Sequence, residues 1–187
     1  PHGHTDPAWW ADDAPFGNAA QLLLHPDHYV LRMLYSQGIA MEALGIGNPA
    51  ADPRESWRLL AANYLLFRGT PSRMWLDWVF AECFGLKVQL SAETSDHYFD
   101  SITAALATPA FRPRALFDRF GIEVIATTEG ALDTLDHHKT VMAANQSGEW
   151  AGRVVTAYRP DAVIDPEYEG FAENLAAFGE LTGEDTH

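Results

Sequence analysis

The sequence predicts an α/β fold in which a long helical stretch interrupts the strands of a parallel sheet. Two short β-branched segments, Glu123–Thr128 and Arg153–Tyr158, have the composition of buried parallel strands, and a helical stretch separates them. From Asn18 to about Ala107, apolar residues instead recur at helical spacing. A βαβα unit combined with a helical insertion accounts for both patterns.

A His-x-His pair, His2 and His4, opens the chain. Residues i and i+2 of a strand project from the same face, so both imidazoles could bind one metal ion, with a chance surface pair as the alternative. Zinc in catalytic sites usually takes three protein ligands, so at least one more must come from elsewhere. The apolar residues that normally precede such ligands in a strand are missing. We therefore expect the sequence to be a trimmed piece of a longer protein.

Capping and turn signals divide the helical stretch. Asp52–Glu55 indicates a helix start in which Asp caps, Pro occupies the first turn and Glu reaches back. A further helix is predicted from about Ser72 to Cys83, and Ser91–Thr94 precedes another. Gly69–Pro71 and Thr108–Pro109 punctuate the series.

The pattern changes after Pro113, where helices alternate with the two β-branched strands. The segment Leu116–Phe120 is predicted to end a helix at Gly121, and further helices are predicted from about Ala131 to Asn145 and from about Phe171 to Leu181. A loop is expected at Arg159–Asp161. With the stub under the histidine pair, only three strand positions are visible, whereas a closed (β/α)₈ barrel needs eight.

Composition limits the function. The 187 residues are 47% hydrophobic, enough for a substantial core, and a net charge of −14 argues against nucleic acid and anionic membranes as partners. A small carboxylate ligand is still compatible, because one Arg or a metal ion can reverse the local field. No apolar run is long enough to span a membrane. Cys83, the only cysteine, lies in an apolar stretch typical of a buried structural thiol, which fits a reducing compartment.

Several polar residues are candidates for a site. Asp27 could cap a helix and leave His28 and Tyr29 in its first turn, facing a cleft; alternatively, Tyr29 packs and His28 is solvated. Arg159 directly follows a strand, where a guanidinium could bind a carboxylate with two hydrogen bonds. An ion pair with Asp161 or another loop carboxylate is the alternative.

Two further groups have less specific signals. His137 and His138 are helical neighbours that point about 100° apart, so one packed and one exposed ring is expected rather than a joint metal site. Glu129, at the end of a predicted strand, could be a site carboxylate or cap the following helix. We favour the cap.

Five segments occur in an order that resembles the uronate isomerase (glucuronate isomerase) family of the amidohydrolase superfamily. They are Pro1–Pro7, Pro26–Tyr29, Ala126–Thr128, Leu135–His138 and Ala157–Asp161. The resemblance spans essentially the whole chain. One local difference is that many relatives carry two acidic residues and a proline after the Thr-Thr pair, where this chain has Glu129, Gly130 and Ala131.

The resemblance implies a (β/α)₈ TIM-type barrel, here its strands one to three, with a helical insertion after strand one. Residues 1–17 would then hold the end of strand one and the metal-ligand loop, residues 18–112 the insertion, and residues 113–187 the units of strands two and three. The rest of the barrel, with later-strand groups that include an aspartate, would lie outside this sequence. We expect the chain to resemble an N-terminal portion of the enzyme.

The implied activity is the interconversion of D-glucuronate with D-fructuronate and of D-galacturonate with D-tagaturonate. On the resemblance, His2 and His4 become zinc ligands, His28 and Tyr29 become catalytic and substrate-facing groups, and Arg159 binds the substrate carboxylate. Zinc need not be obligatory, since proton transfer depends on positioned bases more than on a Lewis acid. We also expect a cytoplasmic homo-oligomer. The alternatives are a metal-dependent hydrolase of the same superfamily and a catalytically silent fragment or part of a split assembly.

Overall fold

The computed structural model describes residues 5–184, which form helices and a two-stranded parallel sheet. The α-helices are, in chain order, α1 Ala8–Asp12, α2 Ala19–Leu23, α3 His28–Ser36, α4 Pro53–Ala62, α5 Pro71–Trp78, α6 Ser95–Leu106, α7 Pro113–Arg119, α8 Asp136–Ser147, α9 Asp161–Ile164 and α10 Phe171–Thr182. The strands are β1 Val124–Gly130 and β2 Arg153–Arg159. Short 3₁₀ segments cover Met41–Leu44, Tyr64–Phe67 and Pro109–Phe111, and Val79–Cys83 is π-helical. Within these described residues no helix is long and apolar enough to cross a membrane.

The chain packs as two compact units. Pro15–Arg112 forms one, called here the helical unit, and the segments before and after it form the other, called the sheet unit. An α/β architecture is therefore confirmed: β1 and β2 pair in parallel, and α8 makes the connection between them.

An aromatic cluster forms the centre of the helical unit. The Phe80 ring makes T-shaped contacts with Trp57 and Tyr98, with ring centroids 6.2 Å and 5.0 Å away, and it also contacts Tyr64 at 6.0 Å. All four side chains are at most 2% exposed. Edge-to-face contacts at these separations add to the stabilisation from burial itself.

Capping residues set several helix starts where the sequence predicts them. Asn18, Asp27 and Asp52 accept hydrogen bonds from first-turn amides of α2, α3 and α4. Gly121, at φ +62°, follows the end of α7, as expected. The Glu55 carboxylate accepts a hydrogen bond from Arg58 in α4, which differs from the predicted reach back to the cap.

Some predicted boundaries are wrong. The helix expected from Ala131 begins only at Asp136, because the Gly130 N–H donates to Asp133 Oδ2 at 2.7 Å and Leu135 adopts φ +57°, which no α-helical residue can have. The helix expected through Cys83 turns π-helical after Trp78, and Cys83 is half-buried rather than fully buried. α9 begins at Asp161, inside a predicted loop.

Replacing Phe80 with Ala should lower the free energy of unfolding by about 3–5 kcal/mol, since it removes a fully buried ring from the centre of the aromatic cluster and leaves a cavity there. Urea denaturation of the purified protein followed by Trp fluorescence measures this. The matched control is Met74→Ala, whose side chain is on α5 and is 72% exposed. It should change stability by no more than about 0.5 kcal/mol. Equal effects of the two variants would contradict the assigned core.

Candidate active site

The carboxyl ends of the two strands lie side by side in the sheet unit. The register pairs Val124 with Arg153 and continues without a break to Gly130 and Arg159. Parallel strands in register end at the same edge, and in open and closed α/β sheets this edge is where ligands bind. The loops after β1 and β2 therefore both begin at one candidate site.

Alternation along β1 divides its side chains between two faces. Ile125, Thr127 and Glu129 are buried, and the Thr127 contact with His138 shows that this face lies against α8. Thr128 projects from the opposite face and borders two cavities at the strand ends. One face of the strand thus packs on α8, and at the carboxyl end of the strand Thr128 and Glu129 both border the candidate site.

Arg159 is the last residue of β2 and half of its side chain is accessible. It borders a cavity of about 420 Å³ together with Thr128, Gly130, Asp161, Ala162, Asp165 and Tyr168. Its Nε donates to Asp161 Oδ2 at 3.2 Å. The ion pair that the sequence left as an alternative is therefore present, yet it uses only Nε. Within residues 5–184, Nη1 and Nη2 make no hydrogen bond and are available to a ligand.

A second cavity of about 530 Å³ lies beside the segment that directly follows the histidine pair. It is lined by Thr5, Asp6, Pro7, Thr128, Glu129 and residues 133–138. Within residues 5–184, Thr5 Oγ1 and Glu129 Oε2 are buried there without a hydrogen-bond partner. His2 and His4 themselves lie outside the described residues, so their assignment as metal ligands stays a prediction. Residues 5–184 contain no group of three or more His, Cys, Asp or Glu side chains arranged to hold a metal ion.

Glu129 does not cap the helix that follows it, so our preferred interpretation of this residue was wrong. α8 begins after Leu135 and has no side-chain cap, whereas Glu129 is 8% exposed with Oε2 3.6 Å from His138 Nε2. His138 is buried and His137 exposed, which confirms the expectation for that pair. The helix starts too far along the chain for Glu129 to reach its first amides.

Thr127 completes this buried group, and the sequence reasoning missed it. Its Oγ1 lies 2.9 Å from His138 Nε2 and 3.4 Å from the Val155 carbonyl. The hydroxyl thus contacts both the buried imidazole and the backbone of β2. A threonine at a buried position of an otherwise apolar strand is the signal that could have indicated a polar partner.

The loop between β1 and α8 is ordered by its own acidic residues. The Thr134 hydroxyl, followed by Lys139, lowers the pKa of the exposed Asp136 carboxyl by hydrogen bonding to it. The Asp133 carboxylate accepts a hydrogen bond from the Gly130 amide. Both carboxylates thus fix the loop that borders the 530 Å³ cavity.

His28 and Tyr29 begin α3 in the helical unit, as predicted. The Asp27 carboxylate accepts from the Tyr29 and Val30 amides at 2.9 and 3.1 Å, and this cap fixes the first turn. The two rings lie 4.2 Å apart at 34°, with Arg32 5.1 Å from the centre of the Tyr29 ring. Tyr29 is 64% exposed, which excludes the alternative in which it packs in the core. Both polar tips remain accessible to a ligand.

Comparison with known proteins identifies the family. The sequence model of glucuronate isomerase matches residues 1–187. The chain belongs to the glucuronate isomerase family. It is 77% identical to a uronate isomerase of Sphingopyxis alaskensis and 64% identical to one of Rhizorhabdus wittichii, over 99% of its own length in each case. It spans 39% of the length of each of these relatives.

Solved structures of the family agree with this fold. The chain aligns with glucuronate isomerase from Caulobacter crescentus at a TM-score of 0.90 and 55% identity, over 99% of this chain and 39% of that one. With uronate isomerase from Thermotoga maritima the TM-score is 0.87 at 27% identity, over 100% of this chain and 39% of that one. The described elements are therefore those of the corresponding part of family members.

Thr127→Val should lower the free energy of unfolding by about 1–3 kcal/mol, because the change keeps the volume but leaves His138 Nε2 buried without its partner. Thermal and urea unfolding measure the loss. The control is Thr156→Val on β2, which pairs with Thr127 in the register and is exposed, and which should be close to neutral. If the Thr127→Val variant were as stable as the wild-type protein, the buried hydrogen bond would have no stabilising role.

Proposed function

We propose that the full-length protein containing this chain isomerises hexuronates, interconverting D-glucuronate with D-fructuronate and D-galacturonate with D-tagaturonate. The observation that carries this proposal is the match of the whole chain to the glucuronate isomerase family. The chain is also 77% identical to a relative named uronate isomerase. The chain spans 39% of that relative, so the activity is proposed for the complete protein and not for these residues alone.

The sheet unit would form part of a (β/α)₈ barrel, with the helical unit inserted after its first strand. Support comes from the parallel β1–β2 pair joined through α8, and from the agreement with family structures over 39% of their length. In such a barrel the active site lies at the carboxyl ends of the strands. Arg159 and Thr128 would then both border the substrate.

Arg159 is the group that would bind the substrate carboxylate. Asp161 holds the guanidinium through Nε, and this contact leaves the edge formed by Nη1 and Nη2 open for two parallel hydrogen bonds to a carboxylate. Asp161 and Asp165 border the same cavity and could accept hydrogen bonds from sugar hydroxyls. The single guanidinium can bind one carboxylate, and the two aspartates can accept hydrogen bonds from hydroxyl groups. This arrangement suits a polyhydroxy acid with one carboxylate better than a dicarboxylate, whose second carboxylate the aspartates would repel.

His28 and Tyr29 would assist the movement of protons. Isomerisation transfers a proton from C2 to C1 through an enediolate, so it needs a base, an acid for the sugar oxygens and a stabiliser of the developing negative charge. An imidazole can accept and return a proton near neutral pH, and a phenol can donate a hydrogen bond to the oxyanion. The two exposed, neighbouring rings at the start of α3 present both functions.

Zinc is the metal that we propose, with His2 and His4 as its ligands. A divalent ion bound there would orient or polarise the sugar oxygens. The histidine pair has the spacing and donor type that zinc takes, and residues 5–184 offer no alternative cluster of three ligands. The third ligand would come from elsewhere in the full-length protein.

Cellular context follows from the same proposal. The substrate is a small anion, and the net charge of −14 makes polyanionic partners unfavourable. We propose a cytoplasmic enzyme that assembles as a homo-oligomer. Size-exclusion chromatography with light scattering on the full-length protein would reveal a monomer if this is wrong.

The activity is tested by adding D-glucuronate to the full-length protein in D₂O and following the sugar by NMR. We expect the ketose to appear and the C2 proton signal to be lost. A metal-dependent hydrolase, the second candidate, would instead leave C2 untouched and cleave an ester or amide substrate. That result would overturn the isomerase proposal.

A silent fragment is the remaining alternative, and the 39% coverage of the relatives is the observation that favours considering it. The intact mass of protein isolated from its natural source decides the matter. A mass near 20.7 kDa with no second chain would support the silent fragment. A mass more than twice that value would support the enzyme.

Arg159→Lys in the full-length enzyme should reduce kcat/KM for D-glucuronate by about 10–100-fold, mainly through KM, because a lysine cannot make two parallel hydrogen bonds to a carboxylate. Steady-state kinetics at saturating and limiting substrate separate the two constants. Arg153→Lys, the same change at the opposite, exposed end of β2, is the control and should leave both constants unchanged. A loss confined to kcat would argue against a role of Arg159 in binding.

A further inference from the structure

His25 lies in the short connection that leads to His28 and Tyr29. Its backbone N–H donates to the Ala20 carbonyl at 2.9 Å, and the Asp27 N–H donates to the Leu24 carbonyl at 3.2 Å. Residues 24–27 therefore form a hydrogen-bonded turn between α2 and α3, and its last residue caps α3. Any movement of this turn would be transmitted directly to the first turn of α3.

The imidazole of His25 packs this turn against another part of the helical unit. Gly45 adopts φ +85° and carries no side chain. A Cβ atom added there would lie 3.0 Å from His25 Nε2 and 3.2 Å from Cε1, so the imidazole packs directly on the Gly45 backbone. The Ser56 hydroxyl borders the same space and donates to the Ala43 carbonyl at 3.1 Å. The ring thus connects the 24–27 turn to the turn after Met41–Leu44.

The surroundings of Nε2 favour a neutral imidazole. Nε2 is buried and has no hydrogen-bond partner among residues 5–184. The Leu44 carbonyl and the Gly45 backbone lie beside the ring, and among the described residues the shift of its pKa comes from burial and the Leu44 carbonyl, not from a charged group. The nearest carboxylate along the chain, Asp27, is turned to the amides of α3. A proton on Nε2 would therefore create a buried charge without a counter-ion.

We propose that His25 is a positioning residue for His28 and Tyr29, and that it holds the 24–27 turn in place only while its ring is neutral. Burial lowers the pKa of His25 from its ordinary value of 6.5, and the Leu44 carbonyl opposes this shift only in part. An imidazole released from this packing binds a proton more readily than the packed one. The packing of His25 on Gly45 is therefore fully stable above about pH 6.5 and weakens as the pH falls below it. The effect on catalysis rests on the proposed isomerase function, whereas the effect on the geometry of His28 does not.

The structural test uses the full-length protein labelled with ¹³C at histidine Cε1, titrated from pH 8 to pH 5 by NMR. In the original protein, the His28 signal should show a second inflection that coincides with the titration of His25. The variant His25→Phe keeps a ring at this position but cannot be protonated, and the second inflection should disappear. His97→Phe, on the exposed side of α6, is the matched control and should retain it. A His28 signal with one inflection in the original protein would overturn the proposal, even if His25→Phe failed to fold.

The kinetic test compares kcat/KM for D-glucuronate at pH 8 and at pH 5.5. The ratio of the two values should be at least about threefold smaller in His25→Phe than in the original enzyme and in His97→Phe, because one ionisation that inactivates the enzyme has been removed. A purely structural role would scale the activity at both pH values equally and would overturn the proposal. Absence of isomerisation in the original enzyme would instead contradict the proposed function, and the NMR titration would still decide the role of His25.

Discussion

The register of the parallel pair β1–β2 is the constraint on which the sheet unit depends. Gly130 lies opposite Arg159, so both strands end together and their loops begin at one edge. A slip of one residue would exchange the faces of a strand and turn Thr127 away from α8. The buried apolar side chains Ile125 and Val154 oppose such a slip, and the Thr127 contact with the Val155 carbonyl adds a polar constraint.

The two units are stabilised in different ways. The helical unit has an aromatic core whose ring hydroxyls make hydrogen bonds, as the Tyr64 hydroxyl does by donating to Asp77 at 2.9 Å. In the sheet unit, Thr127, His138 and Glu129 form a buried polar group between strand and helix. Such groups are sensitive to small shifts because each depends on its neighbour for hydrogen bonding. The sheet unit therefore combines apolar packing with polar contacts close to its strand ends.

Sequence reasoning succeeds where a local interaction decides the structure. Asp27 at the start of α3 and the β-branched strands follow from nearest-neighbour chemistry. It fails for Glu129, because the start of the next helix is set by the unusual backbone of Leu135, which no local pattern reveals. The contact of Glu129 with His138 depends on how α8 packs on β1. For Arg159, both alternatives were open locally, and the side-chain arrangement shows that Asp161 uses only one edge of the guanidinium.

The left-handed backbone of Leu135 has an evolutionary consequence. A leucine at φ +57° costs roughly 1–2 kcal/mol, and the loop keeps it there because Asp133 fixes the chain on one side and α8 fixes it on the other. The acceptability of a substitution at either position then depends on the residue at the other. A glycine at 135 would make the loop tolerant of changes at 133, whereas a change at 133 made first would release the strain and shift the loop. The order in which mutations arise would thus decide which variants of this loop natural selection can reach.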